Sequence, residues 1–184
     1  MTDFYYELSW KAAFKAYSLK QFGKDSIIPF VLTIAFLVLS FIQKELSLAS
    51  IIVKVCDMMI VLLPVFISIL IAAFAIWISF FLSNTIDFIK ESEEGKGLLN
   101  ELNASFLIEI SFSIIGMLYT ISVLLIAGMA FTIDLSYGTI VNTIVLFILL
   151  FICFAVIWWL VYVAKNLHNI AKFTILYERI EINK

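Results

Sequence analysis

Four stretches of the chain, residues 27–42, 58–82, 110–133 and 138–164, contain no Asp, Glu, Lys or Arg, and charged residues close off each of them. At ~1.5 Å of rise per residue the last three each reach roughly 36 Å or more, enough to cross a hydrocarbon core of about 30 Å. The first run is shorter and spans if Ser26 or Gln43 extends it, or if the bilayer thins around it. Burying four such segments in a soluble core is the alternative, and a chain of 184 residues is too small for it. The pattern predicts an all-α, polytopic membrane protein with four transmembrane helices.

The segments between the runs have their own periodicities. In residues 1–25, Tyr6, Trp10, Ala13, Phe14 and Tyr17 fall on one helical stripe, with Glu7, Lys11, Lys15 and Ser18 beside it. An aromatic stripe next to lysines predicts an amphipathic helix lying in the headgroup region or folded onto the protein's own helices, ended by Gly23. Pro29 is then expected near the first turn of the span, where its missing N–H costs little. Residues 26–164 form the four-helix domain, with an extension over 83–109 that reads as two helical arms around a turn at Gly95-Lys96-Gly97. Glu91, Glu93 and Glu94 give it an acidic face, and Leu98, Leu99 and Leu102 an apolar stripe. Those six residues are either an ordinary solvated surface or a docking site for a basic partner. Residues 165–184 form a basic tail, with the fourth helix running on into it. Trp158 and Trp159 precede Lys165 and Lys172 as an aromatic belt precedes headgroup anchors.

Inside the spans, small residues supply the pattern. Ser68, Ala72, Ala75 and Ser79 recur every three or four positions on the second run, and Gly116, Thr120 and Gly128 mark a similar face on the third. Such faces let backbones approach closely, either between helices of one chain or between copies. Pro64 is expected to kink the second span.

Composition agrees with this reading and narrows the chemistry. The chain is 64% hydrophobic and 14% charged with 18 Phe, far from the balance of a soluble domain. A net charge of −2 gives no case for direct nucleic-acid binding. Ten of the twelve basic residues fall on the N-terminal segment, the second connection and the tail, so the positive-inside rule predicts both termini in the cytoplasm. No cleavable signal peptide and no lipidation are expected. Acids and bases avoid the apolar runs, and Glu109, expected at the rim, is the deepest of them. His168 lies at a boundary without ligand companions, and Cys56 and Cys153 form no framework. Catalytic residues, a cofactor and a metal site are not expected.

Two function classes remain: an inward-facing scaffold or sensor that recruits a cytosolic effector, and a pore-former, holin-like or depolarising. The aromatic segment FYYELSWKAAFKAY at residues 4–17, four spans, both ends inside and a short acidic loop resemble the small four-span membrane subunit of the Kiwa anti-phage system. The likeness is architectural and covers the whole chain. It implies a homo-oligomer, with a tetramer as the working number, in the bacterial inner membrane. Such a subunit would sense phage attack and recruit a DNA-binding cytosolic protein that suppresses phage replication and late expression.

Overall fold

The computed structural model describes residues 19–42, 47–81, 93–128 and 135–182, and all of them but Ser47 are helical. The elements are α1 (Leu19–Ile42), α2 (Leu48–Phe81), α3 (Glu93–Gly128) and α4 (Leu135–Ile182). Each contains a stretch long and apolar enough to cross a membrane: Phe22–Ile42, Leu48–Ser79, Asn103–Ala127 and Gly138–Lys165. The chain is a polytopic helical membrane protein.

Three helix boundaries differ from the sequence expectation. α1 passes through Gly23 without ending, and Pro29 lies well inside it rather than in its first turn. A single helical glycine costs only about 1 kcal/mol relative to alanine, less than the flanking helix returns. α2 starts at Leu48, ten residues before the uncharged run, because Ser47 caps it. The Ser50 backbone N–H donates to Ser47 Oγ at 3.2 Å. Ile52, Val55 and Met59 then bury one face, leaving Lys54 and Asp57 exposed on the other. α3 runs unbroken through Gly95, Lys96 and Gly97, so the expected turn there does not exist.

α2, α3 and α4 share the core. One cluster joins Ile52, Val55, Met59 and Leu63 of α2 to Leu146, Leu149, Cys153 and Val156 of α4, with Val123 and Leu124 of α3 against it. A second cluster joins Leu70, Ala73 and Trp77 of α2 to Phe106 and Ile110 of α3 and Val163 of α4. The second cluster therefore gathers the end of α2, the start of the α3 span and the end of the α4 span at one end of the bundle.

α3 and α4 approach closely at Gly116. A Cβ on Gly116 would stand 2.5 Å from Ile152 Cγ2, a distance that only glycine permits. Thr120, fully buried one turn later, donates to the Gly116 carbonyl at 2.8 Å and lies 4.0 Å from Met59 Sδ. The face drawn from Gly116 and Thr120 is thus an internal packing seam, as the small-residue spacing suggests.

α1 is peripheral. Ser26, Thr33 and Ser40, spaced by seven, are buried together with Pro29, while Ile27, Val31, Leu39 and Ile42 are exposed. It rests mainly on α4, where Phe30 meets Phe147 and Phe36 meets Phe154 edge to face at 5.9 and 6.0 Å. Each such pair contributes ~0.5–1.5 kcal/mol beyond area burial, which matters where lipid makes area alone nearly worthless.

Candidate functional site

At the end of the bundle marked by the second cluster, three rings meet. Phe112 of α3 lies 4.7 Å from Trp159 of α4, and Phe22 of α1 lies 5.9 Å from Trp159 and 6.4 Å from Phe112. One helical turn from each ring lies a polar residue: Glu109 from Phe112, Asp25 and Ser26 from Phe22, and Tyr162 from Trp159. Helical spacing and the ring contacts together bring these groups to one junction of α1, α3 and α4.

Glu109 is 5% exposed and lies inside the Asn103–Ala127 stretch, not at its rim as the sequence suggests. The reason is that the apolar α3 face begins earlier than the charge-free run does: Ala104, Phe106, Leu107 and Ile108 are all buried. The Ser105 hydroxyl donates to Glu109 Oε1 at 3.0 Å, and Glu109 Oε2 has no hydrogen-bond partner. On the neighbouring α1, half-buried Asp25 accepts a hydrogen bond from the Tyr162 hydroxyl of α4. Ser26 Oγ and Trp159 Nε1 are likewise buried without a partner. An ionisable group placed this deep in an apolar helix carries function more often than structure.

The residues anticipated from sequence are distributed differently. Ser68, Ala72, Ala75 and Ser79 form an exposed stripe on α2, facing away from the described helices. The Ser68 and Ser79 hydroxyls turn back to the Pro64 and Ala75 carbonyls at 2.8 and 2.9 Å. Buried instead are Leu70, Ala73 and Trp77, on the opposite side of α2. Trp159 is 2% exposed and belongs to the core, which removes it from the expected aromatic belt. Trp158 is half-buried against Tyr162 at 5.9 Å, while Lys165 and Lys172 are exposed.

Of the docking residues, Glu93, Glu94, Leu98, Leu99 and Leu102 belong to α3 by backbone, with side chains outside the described set. Glu91, the N-terminal Tyr6, Trp10, Phe14 and Tyr17, and the side of α3 that Gly128 presents also lie outside the described residues.

Ser26 reads in sequence only as a residue that could extend the first span, and Asp25 carries no sequence signal of its own. The signal that identifies Ser26 is the seven-residue repeat of hydroxyls at Ser26, Thr33 and Ser40, a buried stripe on an otherwise lipid-facing helix.

The fold and this site define a polytopic helical membrane protein with a buried polar junction. No family model matches the chain, and neither the curated proteins nor the solved structures yield a match.

Proposed function

We propose that the chain is a self-associating membrane scaffold and sensor that recruits a cytosolic effector, in bacterial anti-phage defence. One observation supports the scaffold reading: two helices run on past their spans, as stems, at the same end of the bundle. Residues 93–102 precede the α3 span and 166–182 follow the α4 span without a break in helix, ~15 and ~26 Å of rise. A pair of stems on one side offers a partner a preorganised surface, and the positive-inside rule puts that side in the cytoplasm. The acidic residues Glu91, Glu93 and Glu94 at the head of the α3 stem suit a basic partner. The defence role rests on the resemblance to the Kiwa membrane subunit.

The test is co-purification in mild detergent. Reversing Glu91, Glu93 and Glu94 to Lys is expected to release the bound protein and leave membrane insertion unchanged, and raising salt well above ~0.15 M should mimic the reversal. A partner retained through both treatments would place the interface elsewhere. The pore reading is distinguished by membrane potential. Between α2, α3 and α4 a cavity of about 360 Å³ lined by Val53, Val123 and Val145 stops where Met59, Leu63, Leu146, Leu149 and Val156 fill the core, which favours a chain whose expression alone leaves the potential intact.

A further inference from the structure

We propose that the cavity shared by α2, α3 and α4 binds one acyl chain of a membrane phospholipid, with Asn142 as the hydrogen-bonding group at the ester end of that chain. The cavity lies at the end of the bundle away from Glu109. It is bounded by the first residues of the α2 and α4 spans and the last residues of the α3 span. Each helix contributes one exposed aliphatic side chain, Val53, Ile126 and Val141, and one that is less exposed, Ile52, Val123 and Val145. The first three frame a mouth toward the lipid, and the second three form the walls.

The sequence explains why the space persists. Of the ten lining residues among those described, six are Val or Ile, three are Ala or Gly, and the tenth is Asn142. Valine and isoleucine in a helix keep largely to one χ1 rotamer, so these walls do not swing in to close the gap. Ala49, Ala127 and Gly138 are too short to fill it.

Volume and chemistry select the occupant. An apolar cavity of ~150 Å³ accommodates benzene, so the 360 Å³ here takes roughly a dozen carbon atoms. One turn of helix, ~10 Å across and ~5.4 Å long, displaces ~420 Å³, so a helix of a second copy does not fit. Water is disfavoured because it needs about two to four polar partners, and the described lining side chains supply only Asn142. The walls are aliphatic, and the surrounding bilayer presents aliphatic chains at the mouth. Entry of one restores the contacts that an empty space forfeits.

Asn142 sets the direction of the chain. Its side chain makes no hydrogen bond with the described residues, and an unpartnered amide is costly beside hydrocarbon. The α4 span, Gly138–Lys165, has 28 residues and rises ~42 Å, about 12 Å more than a hydrocarbon core. With that excess shared between the two ends, the hydrocarbon boundary falls ~6 Å along the helix from Gly138, at Asn142. Phospholipid ester carbonyls lie at this level and accept from its amide, while Val145, a turn deeper, meets the chain.

The experiment uses the full chain in phospholipid liposomes that hold a trace of phosphatidylethanolamine with a diazirine near the middle of one acyl chain. Irradiation is expected to label Ile52, Val123 or Val145 in addition to the exposed Ile115 and Leu118. Val123→Phe, which fills the cavity, should cut labelling of Ile52 and Val145 several-fold and leave Ile115 and Leu118 unchanged. In mild detergent, one phospholipid per chain should survive washing of the parent protein and be lost from Val123→Phe. If Val123→Phe fails to insert, Val145→Phe, on a different helix, decides the question. Asn142→Leu should lower the retention several-fold, and undiminished retention there overturns the ester contact. Three outcomes overturn the site itself: labelling confined to Ile115 and Leu118, cavity labelling that both Phe variants leave undiminished, or loss of all phospholipid from the washed parent.

Discussion

Gly116 shows how one hydrogen can fix a helix pair. Ile152 Cγ2 stands where a Cβ would go, and that methyl sits on a branched, buried side chain that cannot swing aside. Gly116→Ala gains about 1 kcal/mol of helix propensity and loses about 1–3 kcal/mol to overpacking, so its net effect is small. Gly116→Val keeps the overpacking and gains less propensity, and it is expected to lower the melting temperature in detergent by several degrees. Adding Ile152→Ala should restore part of that loss. A Gly116→Val protein that melts like the parent would show that the seam yields easily. The spacing of Gly116 and Thr120 made this seam legible in sequence. Glu109 was legible only as a rim residue, since its depth depends on which neighbours α4 and α1 supply. Trp159 misleads for a related reason. An aromatic beside lysines has the composition of a belt, and only its ring contacts with Phe112 and Phe22 reveal a core residue.

Among the helices, α2 is the most divided. Ala73 is 4% exposed against the core, while Ala72 and Ala75, its near neighbours in sequence, face outward. Ala73→Phe is therefore expected to destabilise the fold, by cost of insertion into a filled cluster. Ala72→Phe and Ala75→Phe should leave folding and insertion intact and reduce self-association, read as a smaller mass in native lipid. Unchanged mass in both variants would remove the outward stripe from the oligomer interface, and unfolding by either would show that the stripe packs within the chain. Period alone marks small residues without saying which helix approaches them, so this face was visible in sequence and its direction was not. The helix boundaries erred in one direction: Gly23, Gly95 and Gly97 were read as stops, and each lies inside a helix. Propensity penalties of about 1 kcal/mol do not end helices whose flanks are long.

For the whole molecule, four apolar helices are legible in the charge-free runs, because continuous runs of this length satisfy their backbone in lipid as helices, whereas barrel strands are about ten residues long and alternate. The ten-to-two division of basic residues predicts cytoplasmic termini, and this orientation is open to direct test. Single cysteines placed at Ser92 or after Lys184 should resist an impermeant thiol reagent in intact cells, and one at Ser136 should react. Native Cys56 and Cys153 are both buried, so background labelling should be low. Labelling at Ser92 from outside would invert the chain and put the stems outside the cell. The uninterrupted course of α4 has a mechanical meaning as well. Its 48 residues make a rod of ~72 Å, of which the last ~26 Å continues past the apolar stretch that ends at Lys165. A tilt of about 10° of the whole helix, within the range over which membrane helices vary, moves the end of this continuation by ~4–5 Å relative to the end of the span. A change in bilayer thickness thereby becomes a displacement at the end of α4.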